Sequence, residues 1–441
     1  MTAVVGILNK RGIAIAADSA VTMNRKRNEK IANSANKMLR LCSSTPISVM
    51  VTGSAGLLTT PWDIIVRRYR QKHGDMEFPT VESCIEDFFS YIPTEKMFLS
   101  EDMGKEQLKR QLDSYWNEVI SQVPELEKDE NGKLMNGKEI LKGFRDRISS
   151  GIKYFKESDK LPMFKDYSFD QFKSYIDDMV DVLFMMQTDD DDEFSIEFMT
   201  VEGFYPKDIL DQIKEEFIEG FYYYATYGWD EGATHLIFSG FGKEEEYPVL
   251  VRVLVDGAFD ARICYHFNKE DIYKISDEKP VAICPFAQKD IMEALLTSIE
   301  PYFYKHVCEE AEQIYERILD RLKFSVPSSP EQRNALEKIL DGVKYKDLIR
   351  QFQRFGKNLR ATERGQWLKA LRDYDLQDMA RLAENFIAMT SFERHMTFSP
   401  EGVGGPIDLA VITKNEGFIW LNRKSWYHHK DVGGRYGKFG V

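Results

Sequence analysis

Two short apolar runs separated by a polar tetrapeptide open the chain, and they constrain its fold more than any other stretch. Residues 3–8 (AVVGIL) include β-branched side chains. Asn9-Lys10-Arg11-Gly12 is polar and ends in glycine, for which a positive φ is cheap. Residues 13–17 (IAIAA) return as a second apolar run. The pattern predicts an antiparallel hairpin. Residues 23–36 (MNRKRNEKIANSAN) are polar and read as a loop. KMLRLC (37–42) and PISVMVTG (46–53) predict a second hairpin, ended by Gly53-Ser54-Ala55-Gly56. Pro61, followed by Ile64, Ile65, Val66 and Tyr69, predicts a helix that stops near residue 72.

From residue 75 to 230 the strand signals stop. QLKRQLDSYWNEVISQV, FDQFKSYIDDMVDVLFMM and PKDILDQIKEEFIEGFYYYA have helical periodicity, with DENG (129–132) and TDDDDE (188–193) as exposed loops between them. Strands resume at 234–240, 247–257, 261–267 and 280–284, before a helix at 288–300. Residues 301–375 are helical and charged, and 376–392 form an amphipathic helix. Two strands, 406–413 and 417–424, close the pattern across Lys414-Asn415-Glu416-Gly417. The economical organisation is one β-rich core in three pieces, 1–72, 231–300 and 376–424. Helical insertions at 73–230 and 301–375 interrupt it, and a Gly-rich tail (425–441) follows. The last helix of the first insertion is a candidate for the core. Helices between groups of antiparallel strands favour an α+β chain with stacked sheets and helices outside them.

A chain of 441 residues can bury a large core, and by length alone would form two or three domains. Its formal net charge of −13 argues against nucleic acid and anionic membranes as partners. Cys42, Cys84, Cys264, Cys284 and Cys308 are odd in number and none is spaced C-x-x-C. They read as reduced, mostly buried thiols of a cytoplasmic protein. No signal peptide is expected at the N-terminus, and no apolar run approaches the ~20 residues that span a bilayer.

The residues around the first hairpin carry a resemblance. TAVVGILNKRGIAIAADSAVT, then Lys37 opening KMLRL, then VTGSAG, resembles the first third of proteasome β-type subunits, members of the N-terminal-nucleophile hydrolases. VGGPIDLAVITKNEGFIWL is similar to the family's late Ser-Gly-Gly and strand–turn–strand. The resemblance covers about half the chain and leaves the helical insertions outside, as in a bacterial-type homologue with long inserts. It implies a four-layer αββα sandwich and a peptide or protein substrate. It also implies a homo-oligomer, as a ring or related assembly, and no cofactor or metal. Thr2 matches the nucleophile, Asp18 the acid that orients the lysine, and Lys37 that lysine, with Lys30 a rival. Thr22 and Gly53 match positions that bind substrate backbone, the Gly53 N–H as oxyanion donor. For a peptide substrate, the small Ala55 and Gly56, with Val21, Leu39 and Val51, would line an apolar specificity pocket.

The chemistry is coherent in its own terms. A threonine hydroxyl is a weak nucleophile and needs a base. With Met1 removed, the α-amine of Thr2 stands beside its own hydroxyl, with a reference pKa of about 7.7–8.0 that suits a general base. A Lys37 ammonium nearby lowers that value, and Asp18 holds the ammonium in place. A Gly53 N–H would stabilise the tetrahedral oxyanion by a few kcal/mol. The expected activity is amide hydrolysis through an acyl-enzyme.

Two stretches depart from the family pattern. Pro285, in AICPFAQ, stands where the family has the serine of Gly-Ser-Gly. Pro400-Glu401-Gly402-Val403-Gly404-Gly405 keeps neither the aspartate nor the serine of Asp-x-x-Ser-Gly-Gly, with Ser399 and Glu401 as candidate substitutes. The alternatives are therefore a non-catalytic assembly or recognition subunit, and a hydrolase gated by a regulatory partner. Ser54 lacks the G-x-S-x-G spacing and reads as a turn residue. The acidic run 189–193 lacks the ligand spacing of a calcium loop. The histidines, His428-His429 included, show no zinc spacing. FYYYATYGW (221–229) reads as core or subunit-interface packing.

Overall fold

In the computed structural model of the chain, residues 3–25, 28–32, 36–121, 137–157, 159–185, 207–227, 234–325, 345–396 and 404–424 are described. The elements begin with β1 (Val4–Asn9), β2 (Gly12–Ala17), β3 (Val21–Arg25), β4 (Asn28–Ala32), β5 (Met38–Arg40), β6 (Ile47–Thr52), β7 (Gly56–Leu57) and β8 (Thr60–Pro61). Six helices follow among the described residues: α1 (Trp62–His73), α2 (Val81–Tyr91), α3 (Glu101–Ile120), α4 (Gly137–Lys156), α5 (Phe169–Met185) and α6 (Lys207–Thr226). Next come β9 (Thr234–Gly240), β10 (Val249–Phe259), β11 (Arg262–His266), β12 (Ile272–Lys274) and β13 (Val281–Phe286). The chain continues through α7 (Lys289–Thr297), α8 (Pro301–Ser325), α9 (Tyr345–Leu371), α10 (Leu376–Met396), β14 (Asp408–Thr413) and β15 (Gly417–Asn422).

Two antiparallel sheets organise the α+β chain. One has the order β13-β1-β2-β14-β15. The other has the order β11-β10-β9-β6-β5, with β12 also on β10. The opening hairpin pairs as expected, Asn9 opposite Gly12 and Val4 opposite Ala17. Both of its faces are covered, which is why its runs are apolar throughout instead of alternating. Val5, Ile7, Ala14 and Ala16 pack against Met379, Ala383, Phe386 and Ile387 of α10 and Met292 and Leu296 of α7. Val4, Leu8, Ile13 and Ile15 face Met50, Ile237 and Leu250 of the second sheet. Gly6 lies in that interface, where a Cβ would stand 2.6 Å from Leu250 Cδ1, so a glycine lets the sheets close. The second sheet turns Ile47, Val49, Val51, Phe238 and Val251 towards α1 and α2. Each such side chain, fully buried, contributes roughly 1.5–3 kcal/mol.

The 23–36 segment departs from the loop reading. Residues 21–25 and 28–32 pair antiparallel as β3 and β4, Val21 opposite Ala32 and Thr22 opposite Ile31. A two-stranded ribbon is held by its own backbone ladder, and that needs no apolar periodicity in the sequence. Helix α2, inside the stretch assigned to the first insertion, packs on the second sheet through Val81, Cys84, Ile85 and Phe88. It starts at Thr80, whose Oγ1 accepts from the Ser83 N–H at 3.1 Å while Ser83 Oγ accepts from the Thr80 N–H at 3.2 Å, a capping box. Helix α6, the candidate for the core, packs with α3, α4 and α5. Phe217, Phe221, Tyr222 and Tyr224 join Leu112, Trp116, Phe144 and Phe172 in a cluster that meets the sheet at Phe259 and Cys264. Leu368 and Leu371 of α9 join the α7–α10 cluster, so the second insertion also covers core. Helical periodicity marks an apolar face but not the surface that will cover it.

Pro285 pairs opposite Val5 in β13, an edge strand, where a missing N–H is tolerated. Among the described residues no helix is long and apolar enough to cross a membrane.

Candidate functional site

The register of the opening hairpin delivers Asp18. One residue beyond β2, its N–H donates to the Ala3 carbonyl at 3.1 Å, and the Ala3 N–H returns to Asp18 Oδ1 at 2.9 Å. Lys37 arrives from the other sheet. It leads β5, and its carbonyl accepts from the Val51 N–H at 2.8 Å. The Lys37 Nζ donates to Asp18 Oδ1 at 2.7 Å. Asp18 Oδ2 accepts from the N–H groups of Ala20 at 3.2 Å and Gly404 at 3.1 Å. The carboxylate thus has four donors, and the pair is almost sealed, Asp18 1% and Lys37 4% exposed. Burial, the largest influence, pushes the Lys37 ammonium below the ordinary lysine range. The charge and hydrogen bond of Asp18 oppose it, Lys424 adds to the lowering and Asp408 opposes it.

A second buried pair adjoins the first. Lys424 Nζ donates to Asp408 Oδ2 at 2.9 Å and to Ser19 Oγ at 3.1 Å, and the Lys424 N–H donates to Asp408 Oδ1 at 2.9 Å. The Ser19 N–H donates to the Gly404 carbonyl at 3.2 Å, so Gly404 is bonded to both Asp18 and Ser19. Ser19, Asp408, Lys424 and the backbone of Gly404 were not singled out from sequence. The available signal was Asp408, a charge inside the apolar run PIDLAVIT.

A cleft of about 330 Å³ opens beside Asp18, between Ile387, Ser391, Phe392 and His395 of α10 and the segment Gly404, Gly405 and Ile407. A larger one, about 650 Å³, lies elsewhere, between α3 and the end of β10. It contains Asp256, whose carboxyl is pushed up to about 7 by burial, against a hydrogen bond from Gln111. The smaller cleft is the one that reaches a residue expected in the site.

The other expected residues distribute as follows. Gly53 is exposed just past β6 at φ 85°, in the region that favours glycine. Ser54 Oγ donates to the Gly56 carbonyl at 3.0 Å, closing the expected turn. Thr22 and Val21 pair in the β3–β4 ladder, where Lys30 stands opposite Met23 in the backbone register. Val51 is buried in the cluster with α1 and α2, and Leu39, partly buried, packs against it. Strand alternation turns residues 47, 49 and 51 to the helix side. Ala55 is exposed and Gly56 half-buried. Thr2 lies outside the described residues, as do Met1, Ser399, Glu401, Val403, the run 189–193 and His428-His429. All five cysteines are free, Cys308 half-buried and the others buried. No group of three or more His, Cys, Asp or Glu among the described residues is arranged to hold a metal ion.

No protein-family model matches this chain, and no curated protein matches it in sequence.

Proposed function

We propose that this chain is an N-terminal-threonine hydrolase that cleaves peptide or other amide bonds after Met1 is removed. The observation that carries this reading is the buried Asp18–Lys37 pair bonded to the Ala3 amide, because that amide nitrogen is covalently joined to Thr2. On this reading the sheets, with α7 and α10 on one side and α1 and α2 on the other, are the αββα sandwich of the proteasome-like hydrolases. Homo-oligomerisation and a cytoplasmic location belong to the same proposal.

In the proposed reaction the Thr2 hydroxyl oxygen attacks the scissile carbonyl carbon while its proton passes to the neutral α-amine. The Lys37 ammonium, held by Asp18, favours that neutral amine by raising the energy of a second positive charge beside it. The Gly53 N–H serves the oxyanion. The C–N bond then breaks, and the leaving amine takes the proton from the Thr2 ammonium. The resulting ester is hydrolysed when the same amine takes a proton from water, which releases the acid and restores the hydroxyl.

Intact-mass analysis of protein purified from cells is expected to show a Thr2 start. An electrophile that reacts jointly with the hydroxyl and amine of an N-terminal threonine is expected to label it, and Thr2→Ala to abolish the label. Retention of Met1 removes the base and overturns the mechanism. One observation favours a second reading, a non-catalytic assembly subunit. Pro285 brings no hydroxyl to a position opposite Val5, where the family resemblance calls for a supporting serine. Under that reading the wild type stays unlabelled. A partner-gated hydrolase is labelled only when the partner is added.

A further inference from the structure

We propose that Asp408 and Lys424 are a positioning pair for Lys37, acting through Ser19 and the Asp18 carboxylate. The consequence for catalysis rests on the hydrolase reading above, but the test does not.

The geometry sets the pair against the site. Asp408 lies opposite Ala17 in the β2–β14 ladder, next in sequence to Asp18. Both Asp408 oxygens are taken by Lys424, one by its ammonium and one by its backbone N–H. The same ammonium reaches Ser19 Oγ at 3.1 Å, while the Ser19 N–H is spent on the Gly404 carbonyl. The Gly404 N–H in turn holds Asp18 Oδ2. The Asp18–Ser19 corner is therefore clamped from the β14–β15 side, which fixes the direction in which Asp18 Oδ1 meets Lys37.

Stability alone does not call for such a clamp. The two side chains are 7% and 3% exposed, and a buried ion pair is often neutral or unfavourable beside an apolar replacement of the same volume. What it supplies is direction and field. Among the described residues, the charged groups that act most on Lys37 are Asp18 after β2, Asp408 in β14 and Lys424 after β15. Lys424 opposes protonation of Lys37 and Asp408 favours it. Removal of one partner alone unbalances the field, and removal of both largely restores it.

The test follows the full chain labelled with 13C at lysine Cε, the Lys37 resonance being assigned by its loss in Lys37→Arg. Lys424→Met takes away a like charge and leaves Asp408 uncompensated, so the Lys37 midpoint is expected to rise by about one pH unit, a tenfold gain in proton affinity. Asp408→Asn is expected to lower it. The double variant and Lys424→Arg are expected to titrate close to the wild type. An unchanged Lys37 midpoint in Lys424→Met, Asp408→Asn and the double variant, with only stability reduced, overturns the proposal. So does Lys424→Arg behaving like Lys424→Met. In an active wild type, the alkaline limb of kcat/KM is expected to move with the Lys37 midpoint. A wild type unlabelled at Thr2 sinks the hydrolase reading and leaves the titration to decide the pair.

Discussion

Asp18→Asn is the substitution for which the structure gives the sharpest expectation. The carboxylate receives four donors, the Ala3 N–H and Lys37 ammonium on Oδ1 and the Ala20 and Gly404 N–H groups on Oδ2. An asparagine has one oxygen and one NH2, so in either orientation its NH2 confronts two donors. Two hydrogen bonds are lost and Lys37 is left without its Asp18 counter-charge while 4% exposed. Breaking a buried pair in this way costs about 3–5 kcal/mol. Lys37 has one escape, which caps the penalty: it can fold neutral. From an unfolded lysine value near 10.4, deprotonation costs about 5 kcal/mol at pH 7 and about 2 at pH 9. The folded variant then binds fewer protons than the unfolded chain, so its stability rises with pH, and the penalty shrinks by about 1.4 kcal/mol per pH unit. Lys37→Met is milder, about 1–3 kcal/mol, because Asp18 keeps three backbone donors. Urea unfolding at pH 7 and 9, with amide exchange at Ala3, Ala20 and Gly404, measures both terms. The double variant is expected to fall short of additivity by about 1–3 kcal/mol. Additive losses, or an Asp18→Asn penalty equal at the two pH values, would mean that the unpaired Lys37 charge does not set the cost.

Three further outcomes are expected. The Asp256 carboxyl, raised from its ordinary 3.8 to about 7, makes the folded chain bind a proton that the unfolded chain releases. Asp256 therefore contributes a loss of stability as pH rises from 4 to 7, by up to about 4 kcal/mol. Asp256→Asn is expected to be more stable at pH 8 and indistinguishable at pH 4 in thermal melts. Gly53→Ala forces a side chain onto φ 85° and is expected to cost about 1–2 kcal/mol, read by urea unfolding against a Ser54→Ala control. Phe217→Ala empties a fully buried position between Tyr115, Trp116 and Phe144 and is expected to cost about 3–5 kcal/mol. Hydrogen exchange should rise in α3, α4 and α6 while Ala3, Ala20 and Gly404 stay protected. Equal loss at both places would mean that the helical cluster and the sheets open as one unit.

Local physics made much of the fold legible in the sequence. The first hairpin, the strands at 47–52 and 234–240, the final strand pair and the long helices follow from runs, turn residues and periodicity, which act over a few residues. The polar β3–β4 ribbon escaped that reading because its ladder needs no apolar face. The coverage of the second sheet by α2 escaped it because an apolar stripe does not name its partner. The site divides in the same way. Asp18 and Lys37 stood out in sequence only through their order along a familiar pattern, each alone being an ordinary strand-end charge. Their 2.7 Å contact exists because packing one sheet on the other brings the end of β2 to the start of β5. Asp408 and Lys424 reach the same corner from the far end of the chain, through the pairing of β14 with β2. Whether a charge is a solvated side chain or a sealed partner depends on what covers it, and only the tertiary structure decides that.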